Sequence, residues 1–248
     1  MEPSPGGTEI QGISRVIRIL ERADIACCLV GVSALKYFGA WRVRDDWEIC
    51  VPTDMVAKTA AIFKSEPYTQ FYETCPPGHV QPFSLLHTFP RFKVKETLLR
   101  FAIVPSEDCH LTCKPSNIER SQTGLPYPKL EIFAQSLLET YNEVALTDLI
   151  DGMNLTEEWG LRYLDLDGTT DLEWTENKNE KIRSSVPLTE TSCFLELPTA
   201  SFSLRDIWGN LARTKSDRID SACAEGGFST RFYPRNQGDP RLLGREDV

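Results

Sequence analysis

"GVSALKYFGAWRVRDDWEICVP", residues 31–52, passes from a glycine turn through a short amphipathic segment into acids at the mouth of an apolar run. Just before it, "IACCLVG" (25–31) reads as a short buried strand stopped by Gly31. Ser33 is placed to cap the helix "ALKYFGA", and "WEICV" (47–51) reads as a second strand ended by Pro52. Alternate residues of a strand share a side, so Asp46 and Glu48 are predicted to project together while Trp47 and Ile49 point elsewhere. A carboxylate at a strand mouth is costly to desolvate. It calls for a cation, an ion pair or a proton-transfer duty.

Outward from this stretch, Ile10, Ile13, Ile17 and Leu20 recur at helical spacing and predict a helix from Glu9 to near Asp24. Thr53 or Asp54 caps a helix over "MVAKTAAIFKS", and extended runs are expected around 68–73, 83–94 and 98–104. "PYPKLEIFAQSLLETYN" opens on prolines suited to a helix start and keeps Leu130, Phe133, Leu137 and Leu138 on one face. Shorter helical pieces follow, broken at Gly152 and Gly160. From about 165 the chain reads as polar and irregular until "SLRDIWGNLAR". The fold class expected is α/β (α+β), a small mixed sheet flanked by helices. Residues 9–125 form the α/β core, 126–225 a mainly helical portion packed on it, and 1–8 and 226–248 flexible ends.

The chain has 248 residues, of which 41% are hydrophobic, enough to bury a real core. Its net charge of −9, from 27 basic and 36 acidic side chains, argues against a uniformly basic nucleic-acid surface but leaves room for a local basic groove. No apolar run approaches the roughly 18–20 residues that span a bilayer. "MEPSPGGTEIQG" lacks a basic start followed by an apolar stretch, so the cytoplasm is the expected compartment. In that reducing setting the 8 cysteines are not expected to form a disulfide framework. Cys109-His110-x-x-Cys113 offers three soft ligands, but no second Cys/His pair follows at zinc-site spacing. The cysteines are therefore read as core or loop residues, and no metal is expected among them.

Strand, Gly31-x-Ser33, short helix, Gly39, Arg42, then Asp46-x-Glu48 on a new strand resembles the nucleotidyltransferase-fold superfamily. That resemblance implies Mg²⁺ at Asp46 and Glu48 and in-line transfer from a triphosphate. The chain departs from the pattern in two places. Val32 splits the glycine–serine pair, and the strand "LLRFAIVP" carries Arg100 where a third carboxylate is usual.

A broader resemblance covers roughly 31–160. "RVRDDWEICVP", "LLHTFPRFKVK", "GLPYPKLEIFAQSLLET" and "DLIDGMNLTEEWG" are similar to the fungal arginine-containing cyclodipeptide synthases. This implies a secondary-metabolite enzyme that joins the arginyl group of Arg-tRNA with a second aminoacyl-tRNA into a cyclic dipeptide, a 2,5-diketopiperazine. The family's acidic cluster maps onto Asp45, Asp46 and Glu48. The esters are already activated, so neither ATP nor any other cofactor is required.

That chemistry needs a base for an α-ammonium, which Asp46 or Glu48 can supply, and an oxyanion site. Ser33 at the helix start is a candidate acyl acceptor, with an N-cap as its bland role. Gly31 and Arg42 belong to the substrate side of the motif. Asp148 and Asp151, beside an apolar run, are candidates to clasp a guanidinium, although most acids of that region form a solvated face. Arg91, Lys93, Lys95 and Arg100, interleaved with Phe89 and Phe92, offer a phosphate track and stacking platforms for a tRNA end. The same run also reads as a half-buried strand with a basic outer face. Partners expected are charged tRNAs, with no membrane and no DNA. The alternatives are a metal-dependent nucleotidyltransferase and a non-catalytic binding protein on the same scaffold.

Overall fold

The alternation in "WEICV" divides a whole sheet into two unlike faces. The computed structural model describes residues 5–40, 42–186, 192–218 and 238–242. Within them β1 (Cys28–Val30) pairs antiparallel with β2 (Trp47–Val51), and β2 pairs parallel with β5 (Arg100–Pro105). Antiparallel β4 (Arg91–Val94) and β3 (Tyr72–Thr74) complete the order β1-β2-β5-β4-β3. A parallel β2–β5 pair demands a crossover, which α3 (Val56–Phe63) and the β3–β4 hairpin supply. A second, two-stranded sheet of β6 (Ile118–Arg120) and β7 (Pro126–Pro128) lies against β1.

Register places Leu29 opposite Ile49, Trp47 beside Phe101 and Phe92 beside Phe101. These residues join Phe63 of α3 and Ile13, Val16, Ile17 and Leu20 of α1 (Pro5–Arg22) in one buried cluster. The other face carries Cys28, Val30, Glu48, Cys50, Ala102 and Val104 by the same registers. One side of the sheet is thus a hydrophobic core. The other is small, sulfur-bearing and acidic.

Helices α2 (Gly31–Tyr37), α4 (Leu130–Glu139), α5 (Glu143–Gly152), α6 (Glu157–Tyr163), α7 (Leu172–Ser185) and α8 (Leu204–Arg213) make up the rest. Phe133, Leu138, Leu146, Leu149 and Trp208 belong to the same buried cluster as the strands, so the helical portion shares the sheet's core. The expected mixed α+β architecture is the one observed. No helix among the described residues is long and apolar enough to cross a membrane.

Several local expectations differ. The first helix begins at Pro5 rather than Glu9. Residues 1–4, 226–237 and 243–248 of the expected flexible ends lie outside the described residues, whereas Pro240–Leu242 form a 3-10 turn with Pro240 buried. Ser33 does not cap α2: the helix starts at Gly31 after Val30 without a side-chain cap, and Ser33 is buried inside its first turn. The run 83–94 is extended only from Arg91, after a 3-10 turn at Leu86–Thr88. Gly160 lies within α6, where the Trp208 indole occupies the space a side chain would need.

The largest difference is α7, a 14-residue helix where an irregular stretch was expected. Its buried positions are Thr175, Asn179 and Ile182, correctly spaced but mostly polar, so no apolar period marks the helix. Asn179 earns its burial through hydrogen bonds to both backbone groups of Leu197, at 2.9 and 2.8 Å.

α2 and α5 end against each other at two glycines. A Cβ on Gly152 would stand 2.7 Å from the Phe38 carbonyl oxygen. One on Gly39, whose φ is 91°, would stand 2.6 Å from the Gly152 oxygen.

Candidate functional site

The acidic face of the sheet, α4 and α7 enclose a cavity of about 520 Å³. Its walls are apolar, from Leu35, Val104, Phe133 and Leu137, with Tyr141, Asn142 and Glu143 at the start of α5. Glu48 projects into it from β2, between Val30 and Ala102 on the flanking strands. Gly31 is required beneath it for two reasons. Its φ is 57°, in the left-handed region, and a Cβ there would fall on the Glu48 carboxylate.

Burial is the main influence on Glu48 and pushes its carboxyl up to about 7. A hydrogen bond from the Val32 N–H and the Lys178 charge oppose the rise, while the negative charges of Asp108 and Asp46 add to it. The group keeps partial exposure only because it faces the cavity, and its other sides are packed with protein. Also lining the cavity, Lys178 pairs with Asp108 at 3.1 Å and stands 4.8 Å from the Trp174 ring centre. Trp174 is fixed in turn by donating from Nε1 to the Glu107 carbonyl at 2.7 Å. A carboxylate that titrates near neutrality in an apolar-walled cavity can take a proton from a bound ammonium.

The other acids of the opening motif are placed differently. Asp45 is exposed and does not line the cavity. Asp46 is gripped by two guanidinium groups: both Arg91 Nε and Nη2 donate to it, the latter at 2.9 Å, and Arg100 Nε donates at 3.1 Å. The predicted convergence of Asp46 and Glu48 on one substrate is therefore not the arrangement found. Glu48 faces the cavity, whereas Asp46 is held by the very arginines read as a phosphate track. Ser33, 1% exposed and with no hydrogen-bond partner for its hydroxyl among the described residues, is not one of the cavity-lining residues.

The guanidinium clasps expected at Asp148 and Asp151 exist, but toward the chain's own arginines. Arg42 reaches the fully buried Asp148 at 2.5 and 2.6 Å, and Arg218 pairs with both oxygens of Asp151 at 2.7 and 2.8 Å. Lys93 faces Glu73 across the β3–β4 pair at 3.7 Å, and Lys95 donates to the Thr69 carbonyl at 2.7 Å. Phe92 is wholly inside the core, its ring 5.5 Å from Phe101, which removes it as a stacking platform.

A different surface combines cations with an exposed aromatic ring. Arg15, Arg18 and Arg22 recur along one side of α1 and border a groove of about 770 Å³ with Lys95, Tyr68 and Phe71. Phe71 is 57% exposed there. The α1 period was legible in the sequence, and its polar face contained these arginines. Trp174 and Lys178 were hidden by the polar face of α7, although Asp171 was a legible start signal: it caps the helix by accepting from the Trp174 N–H at 2.9 Å.

His110 is not a metal ligand alongside Cys109 and Cys113. Its ring nitrogens lie 3.0 Å from Glu139 at the end of α4 and 3.0 Å from Asp171. These partners, Glu139 foremost, raise the imidazole above its ordinary value, and it holds Glu139 below the usual carboxylate range. The stability contributed by a raised histidine is complete below its unfolded value, about 6.5, and disappears as pH rises through the folded value. The Glu139 contribution runs the other way, complete above about 4.3 and lost on acidification. His110→Gln should therefore destabilise by about 1 kcal/mol near pH 5.5, with a smaller deficit above pH 8. Thermal melts of both proteins across that range check this; a deficit that grows with pH would refute the ion-pair account.

No family model matches this chain, and no curated protein matches it. Among solved structures, the crystal structure of JHP933 from Helicobacter pylori is similar at a TM-score of 0.36 and 12% identity, over 88% of this chain and 94% of that one. A likeness that slight carries no functional argument.

Proposed function

We propose that the chain is a tRNA-dependent cyclodipeptide synthase acting on Arg-tRNA and a second aminoacyl-tRNA. The observation that carries the reading is Glu48, a carboxyl pushed up to about 7 that faces an otherwise largely apolar cavity of about 520 Å³. That volume falls within the range of small-molecule sites. Glu48 takes a proton from the α-ammonium of one aminoacyl group, and the freed amine attacks the ester carbonyl of the other. An amide forms and the tRNA hydroxyl leaves with a proton. A second attack of the same kind closes the ring and releases the second tRNA. Besides Glu48, Glu143 is the acid of the lining outside the Lys178–Asp108 pair, and it is offered to the guanidinium of the arginyl group. The groove of Arg15, Arg18 and Arg22 beside Phe71 supports contact with the tRNA, through phosphates and a stacked base.

Nucleotidyl transfer ranks second. The oxygens of Asp46 are already engaged by Arg91 and Arg100, and no three carboxylates converge closely enough to hold a metal among the described residues.

The test supplies the purified protein with charged tRNA pools and analyses small products by mass. An arginine-containing cyclic dipeptide that disappears after ribonuclease treatment supports the reading, and Arg15→Glu with Arg18→Glu should then raise the KM for charged tRNA severalfold. Product from free amino acids and ATP, or pyrophosphate release from a nucleotide without product from charged tRNA, would overturn it.

A further inference from the structure

Register sets Cys28 of β1 directly opposite Cys50 of β2, on the face that also bears Glu48. Beyond β5 the chain turns at 105–111, where the Leu111 N–H donates to the Ser106 carbonyl, and folds Cys109 and Cys113 back over that pair. The sulfurs of Cys28, Cys50 and Cys113 all lie within 4.8 Å of one another. Cys109, half-buried, packs against the same cluster and is the candidate fourth ligand. Four thiolates around one zinc ion at about 2.3 Å stand roughly 3.8 Å apart, a spacing close to the one within which the three sulfurs of Cys28, Cys50 and Cys113 already lie. Neighbouring Cys27 serves as a contrast, because it points to the opposite face and is packed in the main hydrophobic core.

We propose that Cys28, Cys50, Cys109 and Cys113 form a structural site for a thiophilic divalent cation of the zinc class. The ligands come from two adjacent strands and one loop, so the ion ties β1, β2 and the 105–113 segment together. Hydrophobic packing alone does not account for the cluster. Among the described residues only Val30, Leu111 and Ile118 join the sulfurs there, whereas the opposite face is filled by large apolar side chains. Binding displaces the thiol protons and leaves a tetrathiolate, with each proton released to solvent. Cys109 also lines the cavity that holds Glu48, so the ion stands next to the candidate active site without being part of its chemistry.

The full chain, produced reduced in zinc-supplemented medium, should retain near-stoichiometric zinc after dialysis, measured by elemental analysis. Cobalt exchanged into the protein should give the sulfur-to-metal charge-transfer bands and strong visible absorption of a tetrahedral thiolate site. Cys113→Ser should lose the metal, and Cys75→Ser, remote from the cluster, should keep it. The cobalt spectrum of the unmodified chain decides the matter even where Cys113→Ser fails to fold. A reduced, folded protein that binds neither ion, or peptide mapping that finds a native disulfide between any two of the four cysteines, would overturn the proposal.

Discussion

Glu48→Gln is expected to lower cyclic-dipeptide formation by at least about a hundredfold while making the protein more stable above pH 7. The first effect follows from the proposed function, in which Glu48 is the proton acceptor, a role commonly worth 10²–10⁴ in rate. The second follows from linkage. In the parent, folding holds the Glu48 carboxyl up at about 7, so the native state binds this proton more tightly than the unfolded chain does. The stability associated with it is present below the ordinary glutamate value, about 4.3, and is lost as pH rises through about 7. Glutamine has no charge to desolvate and still accepts from the Val32 N–H. The variant should gain on the order of 2 kcal/mol at pH 8 and nothing near pH 4. Parent activity should rise with pH through about 7. Denaturant melts at both pH values and a pH–rate profile test the two halves separately. A variant that keeps its rate excludes Glu48 as the base, and one destabilised at pH 8 contradicts the burial of its charge.

Gly152→Ala should cost about 2–4 kcal/mol, although it adds one methyl group. The methyl meets the Phe38 carbonyl oxygen at 2.7 Å and the Ala40 nitrogen at 2.8 Å, and backbone cannot rotate out of the way as a side chain can. Relief would require separating the ends of α2 and α5. Gly168→Ala provides the internal comparison. Its case is the reverse: a φ of 90° is unsuited to alanine, whereas Gly152 has an ordinary helical φ, and nothing lies within 4 Å of the carbon added at 168. That variant should lose only about 1 kcal/mol, the conformational part alone. Urea titration should show a lower midpoint for Gly152→Ala at unchanged slope. Little or no loss in Gly152→Ala would mean that the helix ends are free to part.

The sheet and its helical companion were legible because the apolar residues of α1, "WEICV" and α4 repeat at helical or strand period, and the observed core uses those faces. The position of Glu48 followed from the same alternation. What alternation could not show was the destination of Asp46. One residue before β2, it meets Arg91 and Arg100 from strands that are distant in sequence and adjacent only after folding. Asp148 and Asp151, expected to clasp a substrate guanidinium, are instead held by Arg42 and Arg218, which lie 106 and 67 residues away, beyond any local pattern. The thiol cluster was concealed for the same reason, since Cys28 and Cys50 look like small core residues until β1 and β2 are paired. α7 escaped because its inward face is built from a threonine and an asparagine.

The margins of the main sheet bear on how partners are met. β3 is three residues long, with Glu73 and Thr74 exposed, and β1 is flanked by β7. Neither margin presents a long, flat ledge on which a foreign strand could extend the ladder. Among the described residues the two borders of the sheet therefore offer a partner side chains and charge more than open backbone.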